Sequence, residues 1–539
     1  MYTSQQVRHL RTQFWESKGH THLQPASLIA HAENKTVLFN VAGMQQLVPY
    51  LSGKKHDLGN RLYNIQKCIR TNDIEDIGDE RHLSMFEMMG NRSLGDYFKT
   101  ESLTRSIEFL VTVLGIPKNK LGATVFAGDD RTQIPKDQES IDILKSLGIL
   151  HIKEMGFDQQ GDSDNFWTPG PVGPCGPCCE FYYDRGQQDT PYQDPITGNM
   201  TSDDRQMGSN DRYTEIWNNV FMTYHNQQGI YTPLPQKNVD TGMGFERLMM
   251  VLQNKQTIFE TDIFGHIIEV IEQQSLTHYQ DHSKSYRVVM DHSRASLNLL
   301  AEGVIPSNEG RGYILRRLIR RMVYHTSTIK SNFNIVSMMQ HIIGHVLTDY
   351  DQSTHKDVLR LLDKEIEQFG ETIKHGQKLL DEAIAGLNPG EEMPGTVIFK
   401  LYDTHGFPVE LTQEICHKQD ISCDLSGYQQ ELQKAQTLSR AHQNFKKDTD
   451  RSGYIASMPA TQFVYDTLDM SDARVLKDFV VGNQRIIIMD KTVFYAESGG
   501  QVGDRGTIML DDGQVLDIRD VKKIEGVFLH IVDSHTGAK

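Results

Sequence analysis

Cysteine is scarce: there are six in 539 residues, and Cys178 and Cys179 are adjacent. That does not read as a disulfide framework. Long hydrophobic runs are missing as well. Runs such as Ile486-Ile487-Ile488-Met489 and Val37-Leu38-Phe39 fall far short of the roughly 18 apolar residues of a membrane helix. The opening MYTSQQVRHL has no charged-then-apolar signal pattern, and no lipidation tail is visible. The cytosol is therefore the expected compartment, with no membrane among the expected partners. Excess positive charge is also lacking, since 55 Lys plus Arg face 71 Asp plus Glu for a net −16. Any bound polyanion must meet a local basic patch. Internal repeats and low-complexity tracts are absent.

What remains is ordinary globular usage, 38% hydrophobic and 23% charged, with a length that suggests about three or four domains at roughly 150 residues each. Residues 1–256 mix short β-like runs (Thr36–Phe39, Arg61–Ile65, Phe181–Asp184, Glu215–Tyr224) with Gly/Pro-rich connections, an α+β pattern of antiparallel character. Residues 257–458 carry apolar residues at three- and four-residue spacing, most regularly from Val358 to Leu387, which predicts a long amphipathic helix or a helical hairpin ended by Asn388-Pro389-Gly390. The polar segment Asn444–Gly453 reads as a linker. Residues 459–539 read as a small β-domain with strands at Phe463–Tyr465, Arg474–Val481, Arg485–Met489, Gly506–Met509 and Val527–Val532. About eighty residues is short for a closed barrel with its own active site, so a partial domain is expected.

Two constellations carry chemistry. In the first, Lys67-Cys68-Ile69-Arg70 precedes a polar loop, Thr71–Glu80, and then Arg81-His82-Leu83-Ser84-Met85-Phe86-Glu87. A strand, a charged loop and a returning strand would set a guanidinium beside the loop's Arg and His, suited to gripping a polyphosphate. Read alone, the same residues also fit a hairpin with solvated charges. In the second, Val239-Asp240-Thr241-Gly242-Met243-Gly244-Phe245-Glu246-Arg247 lets the backbone approach a nucleotide and aims a helix starting near Phe245 at anionic groups. A strand-to-helix turn without a ligand is the plainer alternative.

The ordered set Ser17-Lys18-Gly19-His20, Leu38–Met44, Lys67–Arg70 with Phe86–Phe98 (FEMMGNRSLGDYF), Gly170–Glu180 (GPVGPCGPCCE), Glu215–Phe221 (EIWNNVF), Val239–Arg247 (VDTGMGFER), Asn308–Arg317, Leu401–Pro408 (LYDTHGFP) and Phe494–Gln501 (FYAESGGQ) resembles the alanyl-tRNA synthetase family. The resemblance implies a class II antiparallel-sheet catalytic domain with flanking helices, a helical tRNA-binding domain and a partial β-domain. It also implies ATP and Mg²⁺, L-alanine as substrate, and transfer of the alanyl group from an adenylate to the 3′-terminal adenosine of alanine tRNA. By that resemblance Arg70 contacts the alanine carboxylate and the α-phosphate. Arg81 and His82 meet the outer phosphates, Glu87 the adenine and Arg247 the γ-phosphate, with Gly244 at the nucleotide. Asp240 holds the alanine ammonium, with Gly242, Asn218 and Trp167 around the small pocket. Asn308 and Asp403 read the G:U pair that marks alanine tRNA, although either could serve as a helix cap.

Arg316, Arg317, Arg320 and Arg321 recur at helical spacing after Arg311 and predict one positive stripe for the acceptor stem. A salt-bridged surface helix is the alternative. Cys175-Gly176-Pro177-Cys178 has metal-ligand spacing, but no metal is assigned, because Glu180–Asp189 adds no further His or Cys. A structural turn is expected there. The sequence departs from the family in carrying no His-x-x-x-His pair after FYAESGGQ, and His530 and His535 are wrongly spaced. Editing would then fall to a separate polypeptide or partner subunit. Two rival functions stay open: the same adenylate chemistry with a non-tRNA acceptor, and a non-catalytic RNA-binding relative.

Overall fold

The computed structural model describes all residues except 31–36, 72–73, 159–162, 169, 171, 187–191, 194–199, 202–206, 208–211, 331–332, 389, 436–457, 465–466, 468, 482–483, 497–503, 525 and 533–539. The expected linker Asn444–Gly453, the end of FYAESGGQ and His535 lie outside the described residues. The chain divides into two compact units, Met1–Ala295 and Ser296–Lys539.

In the first unit the elements run α1 (Ser4–Ser17), β1 (Thr21–His22), α2 (Val48–Leu51), β2 (Arg61–Ile69), β3 (Met85–Leu94), α3 (Lys99–Ile107), β4 (Leu121–Phe126), α4 (Gln138–Ser146) and β5 (His151–Met155). They continue with β6 (Phe166–Trp167), β7 (Val172–Asp184), β8 (Tyr192–Gln193), β9 (Met200–Thr201), β10 (Tyr213–Gln227), β11 (Ile230–Gly244), α5 (Phe245–Leu252), α6 (Gly265–Ser275) and α7 (Ser283–Ala301). The main sheet is ordered β1-β2-β3-β11-β10-β7-β4-β5, with β6 on β7. Its outer pairs β1/β2 and β4/β5 are parallel and the five between them antiparallel. α1 starts on a capping box, Thr3 with Gln6, and buries its aromatic face against the sheet. Trp15 meets Trp217 edge-on at 6.4 Å, and Phe14 lies 5.2 Å from Phe109.

Two local expectations differ from the structure. Of the strand expected at Thr36–Phe39, Thr36 lies outside the described residues and residues 37–39 form no strand, Phe39 making an isolated bridge to Ile29. The Cys175–Cys178 segment is no turn but the middle of β7, buried against β10. A register shift between Val220 and Tyr224 accommodates Pro177 in the strand, the kind of irregularity where proline is tolerated. Gly176 is required there, since a side chain would collide with the Phe221 carbonyl.

Residues 257–295 pack with the first unit. The Ile258 amide donates to the Glu80 carbonyl at 3.2 Å, and Asp291 on α7 accepts from the Ser84 amide at 2.9 Å and from its hydroxyl.

The second unit holds α8 (Gly310–Ile329), α9 (Ile335–Val346), α10 (Gln352–Ala385), α11 (Gly395–His405) and α12 (Val409–Lys418). β12 (Gln462–Phe463), β13 (Val475–Val481), β14 (Gln484–Met489), β15 (Lys491–Thr492), β16 (Gly506–Met509), β17 (Val515–Ile524) and β18 (Val527–Val532) follow. Five of these form an antiparallel sheet ordered β13-β14-β18-β17-β16, and β12 pairs with β15. The long helix expected from Val358 to Leu387 is the 34-residue α10. Among the described residues no helix is long and apolar enough to cross a membrane.

Candidate active site

Strands β3, β11, β10 and β7 set the floor of the site. Their register places Asp240 opposite Arg92 and Val220, and Asn218 opposite Gly242 and Glu180. Alternation along the strands then puts Asn218, Gly242, Asp240, Arg92 and Glu180 on one face. Gly242 leaves that face open: a Cβ there would sit 3.0 Å from Met88 Sδ.

Arg92 is fully buried. Its Nε donates to Asp240 Oδ1 at 2.8 Å and its Nη1 to Asn64 Oδ1 at 2.5 Å, while Nη2 has no hydrogen-bond partner among the described residues. Burial raises the Asp240 pKa although Arg92 pulls it down. Asn218 Nδ2 donates to Glu180 Oε1 at 3.0 Å, and Asn218 Oδ1 is buried with no hydrogen-bond partner among the described residues. Glu180 also accepts from the Tyr182 hydroxyl at 2.7 Å. Burial, reinforced by the negative Glu215, pushes its carboxyl up to about 8. Trp167 on β6 packs against the apolar cluster that contains Cys178 and Val220.

The strand, charged loop and returning strand expected around Arg70 are present as β2, residues 70–84 and β3. Arg70, Arg81, His82, Phe86, Gly242, Gly244 and Arg247 line one cleft, together with Glu215 and Glu246. Arg70 follows directly on β2; its amide donates to the Ser84 carbonyl at 2.9 Å and its guanidinium lies 5.0 Å from the Phe86 ring centroid. Asp79 organises the loop. It accepts from the amides of Arg81 and His82 at 3.0 and 2.8 Å and meets His82 Nδ1 at 2.6 Å. Burial raises the Asp79 pKa, but these bonds outweigh it and hold the carboxyl at about 2.

α5 begins at Phe245, and its cap residue Gly244 offers no side-chain acceptor. No cap side chain takes the first-turn amides, although Glu246 turns its carboxylate onto its own amide. Arg247 sits on that turn and pairs with Glu215 at 2.8 Å. Glu87 is held between Arg8 at 2.6 Å and Arg294 at 2.8 Å, and its amide donates to Glu246. Burial opposes the charge on Glu87, yet the two arginines keep its pKa below the ordinary value.

Three arginines and His82 thus surround a glycine-cleared floor. The profile of the family described as tRNA synthetases class II (A) matches residues 6–538. The chain belongs to that family. Among curated relatives it is 36% identical to the alanine–tRNA ligase of Pseudomonas fluorescens over 98% of this chain and 60% of the relative. For the alanine–tRNA ligases of Pseudomonas entomophila and Bordetella avium the identity is 37%, over 98% of this chain and 60% and 61% of theirs. The chain thus spans about three fifths of the length of the relatives it matches. A solved Staphylococcus aureus histidyl-tRNA synthetase aligns over 46% of this chain and 64% of its own, with 12% identity and a TM-score of 0.28, too slight a likeness to carry an argument.

The second unit of this class II (A) synthetase holds the remaining candidates. The expected positive stripe on α8 is corrected in part, because Arg316 and Arg321 pair with carboxylates within the unit. Arg316 and Arg321 are buried; Arg316 Nε meets Glu365 Oε1 at 2.8 Å, and Arg321 Nε meets Glu414 Oε2 at 2.9 Å. Arg320 lies 4.1 Å from the Phe369 ring centroid, and Arg317 Nε lies 4.0 Å from Glu410. Spacing located the helix face correctly but could not show that acidic residues of α10 and α12 cover it. Arg311 is half-buried at the start of α8, and Asp403 is exposed on α11. Asn308 donates through Nδ2 to the Tyr495 hydroxyl at 2.7 Å and accepts from Arg316 Nη1.

The sequence reading missed Arg92, Glu180, Glu215, Glu246 and Arg294. All but Arg294 lie inside motifs already singled out. A charged residue amid apolar strand neighbours, as in FEMMGNRSL, was the available signal for Arg92.

Proposed function

We propose that this class II synthetase joins L-alanine to ATP, forming alanyl-adenylate and pyrophosphate, and passes the alanyl group to the 3′-terminal adenosine of alanine tRNA. The observation that carries the reading is the convergence of Arg70, Arg81, His82 and Arg247 on one cleft above Gly242, beside Asp240 and Asn218. In this reading Arg70 aligns the alanine carboxylate with the α-phosphate, and a carboxylate oxygen forms the new bond as pyrophosphate leaves. Arg81, His82, Arg247 and the amides after Gly244 take the phosphate charge, so catalysis is positioning plus electrostatic stabilisation. ATP binding draws Arg247 away from Glu215.

Glu215 is the oxygen donor of the cleft chemically suited to Mg²⁺, which when bound neutralises phosphate charge. Asp240, oriented by Arg92, receives the ammonium, and Trp167 and Asn218 shape the small pocket for the alanine side chain. Glu87, fixed by Arg8 and Arg294, meets the adenine. Arg311, Asn308 and Asp403 face the acceptor stem.

Two measurements test this. Alanine-dependent exchange of pyrophosphate into ATP should occur, followed by charging of alanine tRNA; exchange without charging would redirect the proposal to another acceptor. Asp240→Asn should raise the KM for alanine by an amount worth about 2 to 4 kcal/mol, since a desolvated ammonium loses its charged acceptor. An unchanged KM would remove Asp240 from that role.

A further inference from the structure

Asn308 is held by a chain of contacts that fixes which way its amide points. Arg316 can only donate hydrogen bonds. Its guanidinium is locked by the buried carboxylate of Glu365, with Nε to Oε1 at 2.8 Å and Nη2 to Oε2 at 3.2 Å. The remaining arm, Nη1, reaches Asn308 and must therefore meet Oδ1. Nδ2 then faces the opposite way, toward the Tyr495 hydroxyl at 2.7 Å. Tyr495 is itself pinned, its amide donating to Asp504 Oδ2 at 2.8 Å and its carbonyl accepting from the Asp504 amide at 2.9 Å. Gly312 lets α8 close onto this turn, because a side chain there would collide with the Ile305 carbonyl and with Ser307. An amide carries two N–H donors and two acceptor lone pairs. These contacts use one of each, leaving one donor and one acceptor in a fixed order.

We infer that Glu365, Arg316 and Tyr495 are positioning residues for base-pair recognition: they set the amide polarity of Asn308, so that its remaining N–H and lone pair meet the acceptor-stem pair in one orientation only. This rests on the reading that Asn308 contacts the G:U pair. It gives Arg316 a task distinct from phosphate binding. It also makes the segment after β15, through Tyr495, part of tRNA discrimination. An amide free to flip would present donor and acceptor interchangeably and discriminate less.

The experiment compares kcat/KM for charging tRNA transcripts that carry G:U or G:C at the marking position, with pyrophosphate exchange followed in parallel. Tyr495→Phe deletes only the hydroxyl. It should lower the G:U over G:C preference by about three- to tenfold, the value of one neutral hydrogen bond, with exchange unaltered. Arg316→Lys, which keeps the charge but loses the fork, should act in the same direction. Asn308→Ala serves as the reference for the underlying reading. If it abolishes the preference while Tyr495→Phe and Arg316→Lys leave it within twofold of the parent, the positioning role is overturned and the base contact stands. If Asn308→Ala keeps the preference, the base contact falls and the positioning role with it. Equal losses on both transcripts would mark Tyr495 as merely structural and also overturn the inference.

Discussion

At the residue scale the site depends on groups whose ionisation is set by their surroundings. Glu180 shows this most directly, with its carboxyl at about 8, against an ordinary value of 4.5, through burial and the neighbouring Glu215. A carboxyl with a raised folded pKa binds its proton more tightly folded than unfolded. Its stabilising contribution is therefore complete below about 4.5 and is lost as pH rises through about 8. Glu180→Gln retains an acceptor for Asn218 and cannot ionise. The urea midpoint of the first unit should fall between pH 5 and pH 8 in the parent and fall less in the variant, with a difference on the order of 1 to 4 kcal/mol. Parallel pH profiles would show that Glu180 titrates at its ordinary value. None of this could be read from GPVGPCGPCCE, because desolvation depends on β4 and β10, far away in sequence, flanking β7.

Elements were legible in proportion to how local their signals are. The strand–loop–strand around Arg70, the start of α5 at Phe245 and the length of α10 follow from glycine placement and apolar periodicity. β17 was missed because its alternation breaks: Leu516, Ile518 and Val521 are buried, and the register slips between Ile518 and Asp520. α8 was recognised as a helix and misread as a free basic face, since a cationic stripe looks the same whether water or buried carboxylates face it.

That correction changes what mutating the stripe should do. Burial disfavours the charge on Glu414, but His325 and Arg321 outweigh it and hold its pKa well below the carboxylate range. Its depressed pKa contributes stability present above the ordinary value of 4.5 and lost as pH falls below it. Arg321→Ala leaves that carboxylate half-paired. It should destabilise the second unit by about 3 to 5 kcal/mol near neutral pH, and less toward pH 3, as seen in denaturant midpoints at the two pH values. A variant as stable as the parent, with weaker tRNA binding, would instead return Arg321 to the RNA contact.

At the scale of the whole molecule, the adenylate chemistry is proposed to lie wholly within Met1–Ala295 and the tRNA reading within Ser296–Lys539, two separately clustered units. The half-reactions should therefore separate by mutation. Arg247→Ala removes a cation aimed at developing phosphate charge, so it should lower pyrophosphate exchange by about 10² to 10³ while tRNA affinity stays unchanged. Asp403→Asn, an exposed change on α11, should leave exchange intact and reduce charging, chiefly for the G:U transcript. With a net charge of −16 and with Arg316 and Arg321 already paired to Glu365 and Glu414, α8 has fewer cations to give to phosphate contact. The slope of log affinity against log salt should then be shallow, on the order of 2 to 4 for a single acceptor stem, set by the number of phosphates neutralised. Exchange kinetics for the two variants and tRNA binding across a salt series decide the matter. Parallel loss of exchange and tRNA binding in both variants would show that the two units do not divide the work.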